Sequence, residues 1–128
     1  MFPTEIGQRV RVNYETGVSH RGESGYIKSI DGKYFNIEFE DGIFKLNKIY
    51  LSVIEEPSID YINKLSQVRD FVIGNIHNFS ISQFCSDAYA FCYKEFGVVP
   101  FKNDDIKELA IKFVKGKKVE LNREMIWD

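Results

Sequence analysis

A chain of 128 residues, 44% apolar and 28% charged, is long enough to bury a core without a disulfide or metal staple. Seventeen basic and nineteen acidic side chains leave a net charge of −2, which excludes a surface that is basic all over and grips nucleic acid by charge alone. No apolar run approaches the length of a membrane span, which excludes a spanning helix.

The first element is predicted at "QRVRVNY". Val10, Val12 and Tyr14 alternate with Arg9, Arg11 and Asn13, the pattern of a half-buried strand. A glycine-bearing stretch follows, "ETGVSHRGESG", long for a link between two strands. "GYIKSI" reads as the second strand. Ile27 and Ile30 are three apart, so they share a face only if the strand carries a bulge. Asp31-Gly32 then gives a strong hairpin signal, and "KYFNIEFE" returns with Phe35, Ile37 and Phe39 in phase. Asp41-Gly42 predicts a second tight turn, "IFKL" a fourth strand, and "SVIE" a fifth after a turn around Asn47–Tyr50. Five short strands with tight turns predict a small antiparallel β-barrel.

The spacing Gly17-x4-Gly22-x2-Gly25-x-Ile27, with Arg21 before the second glycine, resembles the KOW motif, with one extra residue between the first two glycines. "FEDG" at Phe39–Gly42, followed by "IFKLNKIYL", resembles the third and fourth strands of Tudor domains. Both families are five-stranded barrels of the Src-homology-3 type, and the resemblance covers about residues 6–55. The Tudor likeness implies an aromatic cage for a methylated ammonium, with Tyr14 and Phe39 as walls and His20 or Tyr26 as a further one. The apolar phase of Tyr14 and Phe39 equally suits plain core packing. The KOW likeness implies phosphate contacts from Arg9, Arg11, Arg21 and Lys28, although Glu15 and Glu23 stand in the same segment and oppose them.

At Pro57-Ser58 the apolar period changes from two to between three and four, which divides the chain into residues 1–56 and 57–128. Ile62, Leu65, Val68, Val72, Ile76 and Phe79 mark one helix face. Ser80 stands three before Gln83, a capping-box arrangement that opens a second helix ending at Gly97. Asn103 or Asp104 is placed to cap a third helix with Ile106, Leu109, Ala110 and Phe113 inside, which Gly116 is expected to end. "KKVELNREMIW" reads as a short strand or tail. The predicted class is therefore α+β: a small five-stranded antiparallel β-barrel followed by a three-helix unit.

The second and third helices allow a helix-turn-helix, but Asp104, Asp105 and Glu108 at the start of the third would repel phosphate. Lys112, Lys115, Lys117, Lys118 and Arg123 are better phosphate-contact candidates, and equally complement a helix C-terminus. Tyr89 and Tyr93, with Phe91, offer a protein-docking flank on the second helix. Cys85 and Cys92 lie seven apart on a helix, about 10 Å at 1.5 Å per residue, too far to bridge. Free thiols and an N-terminus without a signal-peptide pattern predict a cytoplasmic protein. His20 and His77 are the only histidines, and no zinc-ligand spacing, phosphate loop or nucleophile elbow occurs, so neither metal, cofactor nor enzymatic activity is expected.

The expected function is non-enzymatic binding of a macromolecule, most readily a protein, through the first loop and strand ends. Two alternatives stand beside it. One is a KOW-type nucleic-acid accessory factor. The other is an inhibitor carried by a phage or mobile element that binds a host protein, a reading that rests on small size and richness in Lys, Asn, Ile and Phe. An acidic stripe (Asp87, Asp104, Asp105, Glu108, Glu120 and Glu124) offers a mimic of nucleic-acid phosphates, although lysines interleave it.

Overall fold

The computed structural model describes residues 3–76 and 80–127, excepting the side chains of 118–127. The chain divides into two compact units, Met1–Glu56 and Pro57–Asp128. The first contains β1 (Arg9–Val12), β2 (Ser24–Asp31), β3 (Tyr34–Phe39), β4 (Gly42–Asn47) and β5 (Leu51–Val53), with a 3-10 turn at Lys48–Tyr50. The second contains α1 (Ile59–Asn75), α2 (Ile81–Phe96) and α3 (Asn103–Trp127). The class is α+β.

The strands form one sheet in the order β4-β3-β2-β1-β5, and every neighbouring pair is antiparallel. The sheet is not closed into a barrel, which corrects the expected closure. β4 pairs only with β3, and β5, three residues long, pairs only with β1, so two edges stay open. The expected bulge is present: the β2–β3 register shifts between Ile27 and Ser29, which returns Ile30 to a position opposite Phe35. The two tight links consist of Gly32-Lys33, between the paired Asp31 and Tyr34, and Glu40-Asp41, between the paired Phe39 and Gly42. Gly32 supplies the positive φ, 61°, that the first of them requires.

Alternation puts Val10, Val12, Ile27, Phe35, Ile37, Phe39, Leu46 and Leu51 into one buried cluster. Gly25 lies against the opposite strand at a distance no side chain tolerates. A Cβ built there would stand 2.5 Å from the Glu38 carbonyl oxygen and 2.9 Å from Ile37 Cγ2.

The helical unit begins at Ser58, whose hydroxyl accepts from the Tyr61 amide at 3.2 Å. Ser80 caps α2 in the same way, accepting from the Gln83 amide at 3.1 Å. Gly97, at φ 77°, ends α2 in the left-handed conformation that glycine adopts freely. Val68, Val72, Phe84, Ala88, Cys92, Phe101, Ile106 and Ala110 form the core. The Tyr61 hydroxyl donates to the Asp105 carboxylate and accepts from the Lys102 amide, tying α1 to the start of α3.

α3 differs from expectation at both ends. Asn103 is its first helical residue rather than a cap, and its side-chain oxygen accepts from the Tyr89 hydroxyl at 3.0 Å. Gly116 does not end it, and the segment expected as a strand or tail is helix through Trp127. A single interior glycine costs only about 1 kcal/mol relative to alanine, and the lysines, glutamates and leucine around Gly116 are good helix formers. Phe79, expected on the α1 face, lies outside the described residues, as do the side chains of 118–127 in the segment expected as a strand or tail.

Candidate functional site

The long link between β1 and β2, residues 13–23, is held to the sheet at both ends. The Asn13 amide donates to the Tyr50 carbonyl at 2.8 Å, and the Asn13 side-chain oxygen accepts from the Ser52 hydroxyl at 2.8 Å. At the other end Gly22 donates to the Val12 carbonyl and Val12 to the Glu23 carbonyl, at 2.8 and 3.0 Å. Glu23 donates to the His20 carbonyl at 2.9 Å, closing a turn over His20 to Glu23. This loop has its own hydrogen-bonded frame, so its length does not make it slack.

His20 is the anchor. Its backbone has φ 63°, a left-handed conformation unusual for a residue with a side chain. The ring stacks on Phe39, with centroids 4.2 Å apart and planes at 17°, and meets Phe44 at 4.2 Å. Nε2 lies 2.9 Å from both carboxylate oxygens of Asp41, in the β3–β4 link. The His20 side chain is 5% exposed and that of Asp41 50%, so the pair joins the interior to the surface. Nδ1 is buried without a hydrogen-bond partner among the described residues. These contacts hold the unfavourable backbone conformation in place.

The sequence-predicted residues are brought together in pairs, not as one cluster. Phe39 is buried beneath His20, and His20 supports the loop from below. The Arg21 guanidinium lies 5.1 Å above the Tyr14 ring, at the loop surface. Tyr26, on β2, donates to Glu56 at 3.0 Å; burial first, and that carboxylate second, push its hydroxyl pKa up. Arg9 donates to the Glu55 carbonyl at 2.8 Å and to the Ser24 hydroxyl. Arg11 is buried, although the alternation of β1 sets it on the polar phase with Arg9. Lys28 pairs with Glu38 at 3.2 Å on the exposed outer side.

In the helical unit, Lys112 pairs with Glu108 at 3.2 Å, and the Lys117 ammonium lies 5.8 Å from the Phe113 ring centroid. Lys115 is exposed, while the side chains of Lys118 and Arg123 lie outside the described residues. The acidic stripe is interrupted: Asp105 and Glu108 are buried, and Asp87 accepts from Gln83. Tyr93 is exposed. Tyr89 is half-buried, and its hydroxyl pKa is raised chiefly by burial.

Burial pushes both thiols up, and Lys107 draws Cys85 part of the way back. Raised folded-state values mean that thiolate formation opposes folding. The stability this represents is complete below the ordinary thiol range and is lost as pH rises through the folded-state values. At neutral pH an aromatic disulfide reagent is therefore expected to label Cys85 first and both thiols more slowly than in denaturant. Labelling of Cys92 at the denatured rate would show that it is not enclosed.

Two features escape a reading of the chain alone. Asp41 has no local signal linking it to His20, since the pair forms only when β3–β4 turns beside the first loop. A groove of about 340 Å³ opens between α1 and α2, with Phe71 stacked on Phe91 at 4.5 Å. The sequence carries two separate traces of this groove, Phe71, one position off the α1 stripe, and Phe91, on the flank of the second helix, and nothing that joins them. Among the described residues, no group of three or more His, Cys, Asp or Glu side chains is placed to hold a metal ion, and no helix is long and apolar enough to cross a membrane. Compared with models of known families and with curated proteins, the sequence matches none.

Proposed function

We propose that the sheet unit is a non-enzymatic binding module that takes a protein partner on the surface of its first loop. The observation that carries this reading is the loop's construction. A strained, buried His20 fixes it to Phe39, Phe44 and Asp41, while Tyr14 and Arg21 stack at its surface. Preorganisation of this kind lowers the entropy lost on binding, and tyrosine and arginine are the residue types that most often anchor protein interfaces.

A methylated-ammonium ligand fits less well. Phe39 is covered by His20, and Arg21 already lies over Tyr14. Phosphate recognition also fits less well, since Arg9 is engaged by Glu55, Arg11 is buried and Lys28 is paired.

The test is affinity capture from the native host with the wild-type chain and with Tyr14→Ala/Arg21→Ala, each with and without nuclease. The double variant is expected to lose at least about tenfold in captured partner, the scale of one interface anchor, with thermal stability nearly unchanged. Undiminished capture by a folded double variant would remove the loop from the interface. Partners lost on nuclease treatment would favour the nucleic-acid reading.

A further inference from the structure

The groove between α1 and α2 lies on a different unit from the first loop and has its own chemistry. Its apolar wall includes the offset pair Phe71 and Phe91, with ring planes at 26°, beside the buried Val72. Phe71 remains 42% exposed despite that stack, so aromatic surface is open along the groove. At about 340 Å³ the space lies near the bottom of the range for small-molecule sites, suited to one or two rings.

The polar lining is unbalanced. Asp87 and Glu95 bring two carboxylates against the single ammonium of Lys94. Glu95 and Lys94 take part in no ion pair among the described residues, and Asp87 uses one oxygen, Oδ1, on the Gln83 amide. The Asn75 amide nitrogen donates to the Phe71 carbonyl at 2.7 Å, leaving the side-chain oxygen as an acceptor. The groove thus presents more acceptors than donors, and more negative than positive charge, beside exposed aromatic carbon.

From this charge balance we infer that the groove binds a small aromatic cation: one or two rings carrying a primary ammonium or amidinium group. The ring packs along Phe71 and Phe91, and the cation meets one of the two carboxylates, Asp87 and Glu95, which stand eight residues and about 12 Å apart along α2, while the other adds to the negative field of the groove. A charged hydrogen bond in a half-enclosed site is stronger than a neutral one, which makes the carboxylates the source of selectivity.

The experiment is an amide chemical-shift titration of the full chain with phenethylammonium. Phenylpropionate, of the same ring and similar length but opposite charge, is titrated in parallel. Saturable shifts are expected in residues 71–75 and 87–95, with the anion at least about tenfold weaker. Asp87→Asn/Glu95→Gln should abolish the preference for the cation. Phe71→Ala, at an exposed position, should weaken the cation about fivefold or more by removing aromatic contact. Equal binding of the anion would overturn the inference, as would shifts that do not saturate. Shifts that follow protein concentration without ligand would also overturn it, by assigning the groove to a second copy of the chain.

Discussion

Gly25→Ala is expected to unfold the sheet unit or to bring it close to unfolding. The added methyl would stand 2.5 Å from the Glu38 carbonyl oxygen, which is backbone in the neighbouring strand and cannot rotate away. Relief requires β2 and β3 to separate where they carry Ile27 and Ile37, both fully buried. Overpacking of a rigid core costs about 1–3 kcal/mol and occasionally more. With backbone on one side and Ile37 on the other, a loss of about 3 kcal/mol or more is expected, a large share of the stability of a small domain. Hydrogen exchange should report it as lost protection of the β2 and β3 amides. Gly17→Ala is the control, because a methyl there meets nothing within 4 Å and Gly17 has no positive φ. It should be neutral or stabilising by about 0.4–1 kcal/mol. If Gly25→Ala matches Gly17→Ala in protection, the close approach of the strands is wrong.

Phe84→Ala is the corresponding test of the helical unit. Phe84 is fully buried, heads the fully buried side chains in size, and packs on Phe113 with ring centroids 5.5 Å apart. The buried cluster it belongs to draws on all three helices, with Val68 and Val72 of α1 and Ile106 and Ala110 of α3. Truncation removes the ring's transfer free energy and leaves a cavity that three packed helices cannot fill, a loss of about 3–5 kcal/mol. For a unit of this size that corresponds to a fall of more than about 10 °C in the melting of helical circular dichroism. Phe84→Leu, which retains most of the volume, should lose much less. A Phe84→Ala protein melting within about 3 °C of wild type would place the hydrophobic centre elsewhere.

The order of strands and helices was legible because it depends on local periodicity. Val10, Val12, Phe35, Ile37 and Phe39 alternate, and Val68, Val72, Phe84, Ala88, Cys92, Ile106 and Ala110 recur at helical spacing; all are buried. Ser58, Ser80 and Gly97 act within one turn of their own positions, so the start of α1 and both limits of α2 are also local matters, whereas α1 ends at Asn75, before Ile76 of the expected stripe. The bulge after Ile27 was legible as a phase conflict between two isoleucines.

Sequence by itself therefore determined the α+β class, most of the residues facing each core, and the presence of a long, glycine-bearing first loop. Ile62, in phase with the α1 stripe, is nevertheless 45% exposed, and Tyr14, in phase with Val10 and Val12, is outside the buried cluster. Tertiary structure decided what these patterns leave degenerate. Whether five strands close depends on the pairing of the first and last edges, and here β4 and β5 each keep one edge open. Whether Gly116 ends a helix depends on the sum of its neighbours' preferences rather than on glycine alone. The roles of His20 and Arg11 follow the same rule. A polar side chain is buried or exposed according to which partners the fold brings to it, and Asp41, twenty-one residues from His20, is such a partner. Contacts between residues distant in sequence carry no local signature, and the anchor of the candidate site, His20 on Phe39, Asp41 and Phe44, is made of them.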